Sequence, residues 1–449
     1  MKSLHIPFGF YPDVVGGTEV YVAALAASLA RQNHPAVIAA PGTAATHYVH
    51  DGIPVHRFTV TDHVTDVSEL YDEGDLRAAE DFSRILDRER PDIVHLHAFT
   101  RACSVHLVRT ARARGIPVVF TYHTPTVSCA RGTLMLWGTT PCDGVLQVAR
   151  CAACALEGRG IPKPLAQLLG RVPSTLLARS AKLHGRAWTA LRFTSLISVQ
   201  QSAIRALFEE VDRIVALRSW IAALLVSNGV PPTKIVSSKH ALCHPLAPRT
   251  HTEGIGGPIR VVFMGRLDRT KGVDVLIRAI RLIPRADVVL DVYGAVQGAG
   301  GEQELARLRQ LAEGDERIAF KPAVDSVAVV ETIAAHDVLA VPSQSMETGP
   351  LVVLEAFAAG IPVVGSALGG IAELVTDGAD GLLVRDFRSP RAWADAFIRL
   401  CSDAQLLAAL GRNVAAPSTM DQVATEMASL YEAVIASRSR PALMIPSVA

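Results

Sequence analysis

The sequence predicts an α/β protein made of two domains in which strands and helices alternate. Three observations carry that expectation. Short β-branched runs alternate with helical repeats over most of the chain. The run Ile259–Met264 passes through the loop Gly265–Gly272 straight into a helical repeat with apolar residues at 273, 276, 277, 280 and 283. Residues Leu351 to Ala359 leave no polar face apart from Glu355, the pattern of a helix buried on all sides. Pro350 near its first position and Gly360 just past its last mark that helix's ends.

Element by element, Leu4–Ile6 is the first strand, cut short by Pro7. The loop Phe8–Val15 leads to Gly16 and Gly17, and a helix follows from Val20 to about Arg31. Ala36–Ala40 and Val55–Phe58 are strands, and Asp66–Glu89 is an acidic helical stretch expected to be solvated. Ile93–His97 and Val118–Tyr122 are buried strands with the helix Ala102–Arg114 between them. After an irregular insertion at about 126–192, Ser195–Val199 and Arg213–Leu217 resume the strand pattern. Pro245–Pro258 reads as a linker, which divides a first domain, 1–245, from a second, 259–415. A last helix within 416–436 carries apolar positions 420, 423, 427, 430, 431 and 434, and 437–449 is a tail.

Composition sets limits on function. A 449-residue chain with 49% hydrophobic residues can fill two cores of ordinary size. A net charge of +1 gives no global attraction to nucleic acid, so no nucleic-acid partner is expected. No run reaches 18 apolar residues, and the chain enters a strand at once and meets Asp13 early. The expected location is therefore cytoplasmic.

Glu347 and Glu355 stand either side of seven residues. A carboxylate inside an apolar helix is costly unless something hydrogen-bonds to it; ligand hydroxyls, an arginine or a water would serve. Arg266 and Lys271 bracket a loop between strand and helix, where an α/β protein binds anions. Two permanent cations there can hold a diphosphate without a metal. Gly16 and Gly17 follow the first strand, where glycine lets the backbone approach a phosphate or merely makes a turn. His95, His97 and His123 end buried strands and so face the ligand side of the sheet, or are satisfied structural histidines.

With these residues the chain resembles a retaining glycosyltransferase of family 4. The resemblance rests on the glutamate pair, Gly360–Val364, Gly369-Gly370-Ile371-Ala372-Glu373 and Gly378–Val384, and on Gly16-Gly17-Thr18-Glu19 near the start. It covers about 1–125 and 195–436 and is strongest after 259. It implies the GT-B architecture, two Rossmann-like domains facing across a cleft, with the last helix crossing back to the first domain. It also implies a nucleotide-sugar donor and a glycan, lipid-linked or small-molecule acceptor. Donor contacts would come from Gly16, Gly17, Arg266, Lys271, Gly349, Pro350, Leu351 and Glu355. Glu347 and His123 would orient the transferred sugar, His97 would line the acceptor side, and no catalytic metal is expected. A sugar-nucleotide epimerase and a non-catalytic assembly subunit are the alternatives.

The insertion departs from that family. Cys129, Cys142, Cys151 and Cys154 fall within 26 residues and end in CxxC, which reads first as a structural zinc site, with unligated, redox-active or iron–sulfur thiols as alternatives. Residues 150–192 are basic, with interspersed leucines. They fit either a peripheral contact with an anionic membrane or a solvated face packed on the core.

Overall fold

The computed structural model describes residues 1–13, 16–61, 67–175, 185–243 and 257–439. Most of the linker expected at Pro245–Pro258, the tail from residue 440 and residues 176–184 of the basic stretch lie outside the described residues. The chain divides into two units. Met1–Gly132, Asp143–Lys239 and Met420–Ala449 form the first; Thr133–Cys142 and His240–Thr419 form the second.

The first unit begins β1 (Ser3–Ile6), α1 (Gly17–Arg31), β2 (Ala36–Gly42), β3 (His47–His50), β4 (Ile53–Thr59), α2 (Leu76–Glu89), β5 (Ile93–Leu96), α3 (Val105–Arg112) and β6 (Val118–Tyr122). The hairpin β7 (Met135–Leu136) and β8 (Thr140–Pro141) falls in the second unit. The first then resumes with α4 (Val148–Glu157), α5 (Lys163–Leu169), α6 (Arg186–Leu191), α7 (Phe193–Glu210), β9 (Arg213–Ala216), α8 (Ser219–Ser227) and β10 (Ile235–Ser237). Its eight-stranded sheet runs β10-β9-β6-β5-β1-β2-β4-β3, parallel except for the edge strand β3, which the sequence did not suggest. Strands β1, β5 and β6 are buried along their whole length.

Two expectations are corrected here. Ser195–Val199 lies inside the helix α7, not in a strand. Leu196 and Ile197 continue into Ala203, Ile204, Leu207 and Phe208 at helical spacing, and that buried face outweighs the short β-branched run. The acidic stretch before Glu89 is not merely solvated. Its helix starts at Leu76, capped by Asp75, and buries Ala78, Phe82, Ile85 and Leu86.

The second unit contains β11 (Ile259–Arg266), α9 (Val273–Leu282), β12 (Val288–Ala295), α10 (Gly298–Ala312), β13 (Ile318–Lys321), α11 (Val329–Ala334), β14 (Val338–Val341), α12 (Leu351–Ala358), β15 (Val363–Ser366), α13 (Gly369–Leu374), β16 (Gly381–Val384), α14 (Pro390–Ser402) and α15 (Ala404–Asn413). Its six strands run β13-β12-β11-β14-β15-β16, all parallel. One face of the sheet buries Leu276, Ile277, Trp393 and Phe397, the other Val353, Phe357 and Ile371. Each such side chain contributes roughly 1.5–3 kcal/mol by leaving water.

The last helix, α16 (Met420–Ser439), returns to the first unit. Asp421 pairs with Arg31 of α1 at 2.6 Å and also accepts from the Ser28 hydroxyl. Ten residues further on, the Tyr431 hydroxyl lies 2.5 Å from His95 Nδ1 in β5, where both groups are buried. Tyr431→Phe would leave that ring nitrogen buried without its partner. The expected loss is roughly 1–3 kcal/mol, read from the denaturant-unfolding curve of the full chain; an unchanged midpoint would show that the helix is held by its apolar face alone.

Candidate functional site

Both sheets have a switch point, where successive connections leave to opposite sides and ligands bind beyond the carboxyl ends of the strands. In the second unit it lies between β11 and β14. Arg266 is the last residue of β11, the loop after it carries Lys271, and the loop after β14 carries Glu347. Lys271 Nζ lies 2.9 Å from Glu347 Oε1, and the Ser343 hydroxyl donates to the same oxygen. The two halves of the sequence-predicted site thus meet as an ion pair, 22% and 14% exposed at the side chains.

Local chain geometry explains the contact. Asp268 caps the turn Arg269–Lys271 by accepting from the Thr270 N–H at 2.9 Å, and the Gln344 N–H donates back to Thr270 O at 2.7 Å. Gly272 is left-handed at φ +70°, and a Cβ there would stand 2.1 Å from Pro342 O. A larger residue would push the cationic loop off the end of β14. The Gly370 N–H donates to Glu347 O at 2.6 Å, and a Cβ at Gly370 would come within 2.6 Å of Gly349 N. That closeness is what the Gly369-Gly370 pair provides.

Arg266 reaches Asp268 at 3.6 Å and is 54% exposed. It borders a cavity of about 370 Å³ that Arg269 and Arg307 also line. That volume falls within the usual range for small-molecule sites. Gly349, Pro350 and Leu351 form the entry to α12, with Pro350 as its N-cap, so the N–H groups of the first turn point out of the helix end.

Glu355 sits on α12 among Val353, Leu354, Ala356 and Phe357. Part of the residue reaches the surface, but burial of its carboxyl pushes the pKa up to about 7. Below the ordinary carboxylate range both the folded and unfolded chains hold this proton. As pH rises, the unfolded chain loses it first and the folded chain near 7. The stability tied to this proton is therefore complete at low pH and lost as pH rises through that value. Glu355→Gln removes the loss. The variant should unfold at higher temperature than the parent above neutral pH, by the equivalent of about 1–3 kcal/mol, and the gap should close toward acid pH. Parallel curves across the pH range would show that the carboxyl is not desolvated.

In the first unit the corresponding edge carries histidines. His97 Nδ1 lies 3.0 Å from His123 Nε2, and His97 Nε2 lies 3.0 Å from His5 Nδ1. His97, expected on the acceptor side, is 2% exposed, with both ring nitrogens taken by other histidines. Burial pushes His5 and His123 down to about 3, and His95 and His97 well below the usual imidazole range, so all four are neutral. His5 was missed by sequence reasoning; its register opposite His95 on β5 is visible only once the strands pair.

The Gly16 N–H donates to Glu19 Oε2 at 2.8 Å, and Glu19 is buried, so this N–H caps α1 instead of facing outward. Arg57, also missed, is buried and holds the Phe10 and Tyr11 carbonyls at 2.6 and 2.9 Å, which fixes the loop after β1.

All four cysteines of the insertion are unbridged. Cys151 and Cys154 lie one turn apart on α4, and Cys142 ends the hairpin of the second unit. Burial pushes the Cys151 thiol up, and Cys129 and Cys154 add to the effect. Among the described residues, no three cysteine sulfurs lie within 4.8 Å of one another; the one such group of metal-ligating side chains is His5, His95 and His97. Helices α4 and α5 of the insertion pack on α7, with Ala152, Ala155, Leu156 and Ala166 in one core with Phe193, Leu196 and Ile197.

Two family models match the chain. One, described as Glycosyl transferases group 1, covers residues 251–416. The other, described as Glycosyl transferase 4-like domain, covers residues 16–237. D-inositol 3-phosphate glycosyltransferase of Corynebacterium jeikeium is 39% identical over 194 residues, 40% of this chain and 45% of that protein. The chain thus spans under half the length of the curated relatives it matches. Sucrose-phosphate synthase from Thermosynechococcus elongatus superposes with a TM-score of 0.67 at 19% identity, over 97% of this chain and 99% of that one. Anabaena HepE in complex with UDP and glucose gives 0.63 at 16%, over 96% and 99%. At these identities the structural likeness concerns the fold alone.

Proposed function

We propose that this chain, which belongs to the family 4-like glycosyltransferases of GT-B fold, moves a sugar from a nucleotide-diphosphate sugar to an acceptor hydroxyl with retention of anomeric configuration. The observation that carries this reading is the Lys271–Glu347 ion pair at the switch point of the second sheet, where β11 also ends in Arg266. Binding of a diphosphate there gives Lys271 a second anionic partner and Arg266 a better one than the exposed Asp268. The first-turn N–H groups at Leu351 and Val352 add donors. Glu355 accepts from the ribose hydroxyls, which relieves the cost of its burial when ionised.

Glu347 and neutral His123 orient the sugar through its hydroxyls. As the bond from the anomeric carbon to phosphate breaks, charge grows on the leaving diphosphate, where the two cations stand preorganised. The acceptor, a glycan or lipid-linked hydroxyl, enters on the leaving group's face. Leu165 and Leu168 of α5, 48% and 64% exposed beside Lys163, support a peripheral contact with an anionic lipid surface during that step. Among the described residues no helix is long and apolar enough to cross a membrane.

Transfer is tested with a panel of UDP-, GDP- and ADP-sugars, with product configuration read by NMR. On the productive donor, Lys271→Ala and Arg266→Ala should each lower turnover by about 10²–10³, the scale of removing one transition-state donor. Near-full activity in either variant would overturn the diphosphate assignment. Interconversion of the donor sugar without transfer would make the protein an epimerase instead, and donor binding without turnover an assembly subunit.

A structural zinc on Cys129, Cys142, Cys151 and Cys154 belongs to the same reading. Cys129 and Cys154 both help to raise the Cys151 thiol, Cys151 and Cys154 share one helical turn, and a bound cation would draw the sulfurs together as thiolates. Elemental analysis should find close to one zinc per chain, lost in single Cys→Ser variants. Because α4 has its own apolar packing, those variants should keep their helix content. Purified protein without metal, active in chelator, would leave the four as ordinary thiols.

A further inference from the structure

Ser3, His5, His97 and His123 form an unbroken line of hydrogen bonds that runs from the start of β1 to the carboxyl edge of the first sheet. Ser3 Oγ lies 2.9 Å from His5 Nε2, His5 Nδ1 lies 3.0 Å from His97 Nε2, and His97 Nδ1 lies 3.0 Å from His123 Nε2. All four residues are at most 5% exposed. Strand pairing sets the line: β1 lies beside β5, and β5 beside β6, whose end carries His123. His95 stands out of it, with Nδ1 on Tyr431 and Nε2 on Thr121 at 2.7 Å. The ring nitrogens of His5, His95 and His97 are therefore all engaged within the protein. That argues for shared hydrogens rather than a common metal, although the three rings are close enough to suggest one.

A neutral imidazole donates from one nitrogen and accepts at the other. In a line of such rings every bond must point the same way, so only two arrangements satisfy all members. In one, the Ser3 hydroxyl donates to His5, His5 to His97 and His97 to His123, which leaves the His123 hydrogen on Nδ1. In the other, His123 donates from Nε2 to His97, His97 to His5 and His5 to Ser3, which leaves His123 Nδ1 an acceptor. Between the two states one hydrogen enters at the Ser3 end and one leaves at the His123 end. Each ring keeps one hydrogen and no ring becomes charged.

We propose that Ser3, His5 and His97 are positioning residues that select, from inside the sheet, which ring nitrogen of His123 carries its hydrogen. They thereby decide whether His123 donates to or accepts from a hydroxyl of the transferred sugar. The part concerning the sugar rests on the function proposed above; the tautomer coupling does not.

The test uses full-length protein labelled with nitrogen-15 at histidine, with the tautomer of each ring read from its nitrogen chemical shifts. Ser3→Ala and His5→Leu touch neither His123 nor any other group assigned to the donor. Each leaves the next ring nitrogen of the line buried without its partner in both arrangements, and because an orphaned N–H is costlier to bury than an orphaned acceptor, the His123 hydrogen should shift toward Nδ1, by about fivefold. His5→Gln, which can both donate and accept, should restore much of the parent ratio. An unchanged His123 spectrum in Ser3→Ala and His5→Leu overturns the relay, and Ser3→Ala alone decides the matter if His5→Leu fails to fold. Donor KM and kcat are measured on the same variants. A shifted tautomer with unchanged kinetics sustains the relay and removes His123 from the sugar.

Discussion

Parallel strands buried on both faces constrain everything else in this chain. β1, β5 and β6 in the first unit, and β14 and β15 in the second, have no exposed residue. Polar chemistry inside such a layer must be internally satisfied, and polar chemistry meant for a ligand must sit where the strands end. Both appear here. The histidines satisfy one another within the first sheet, and the ion pair of Lys271 and Glu347 occupies the strand ends of the second.

The two edges divide the electrostatic work. The first unit offers uncharged, directional groups, because burial keeps all four imidazoles neutral. The second offers permanent charge on Arg266 and Lys271, with carboxylates to hold it in place. In the transfer proposed above, the sugar needs its hydroxyls oriented, which would suit the directional bonds, and the departing diphosphate gains negative charge, which would suit the cations. Glu355 lies between these cases. Its carboxyl is strained by desolvation when ionised, so hydroxyl donors from a ligand are worth more to it than to an exposed glutamate.

Much of the second unit was legible in the sequence because its signals are local. The strand Ile259–Met264, the cationic loop and the helix behind it are contiguous, and α12 announces itself by composition and by Pro350 and Gly360. What was not legible depends on distant pairing. His5 gains meaning only from its position beside His95, and the partners of both His97 ring nitrogens come from strands distant in sequence. The bond from the Gly16 N–H to Glu19 was not legible either, because the same residues fit a backbone approach to phosphate and a plain turn. Ser195–Val199 has a strand's composition and a helix's neighbours, and burial of the longer face decided it.

Neither unit is a contiguous stretch of chain, and that has a consequence for synthesis. His95 is made early, but its partner Tyr431 follows the whole of the second unit. While the ribosome is still reading residues 240–419, the first sheet has a buried imidazole lacking its hydroxyl and an apolar surface lacking Val423, Met427 and Val434. The hairpin Thr133–Cys142 emerges before the Met346, Leu368 and Phe387 side chains on which Met135 packs. The second unit therefore matures around a segment delivered in advance, and the first closes only after the second is complete. A nascent chain of this design is exposed to chaperones and proteases until α16 has been made, and loss of that helix should be read as damage to the first unit.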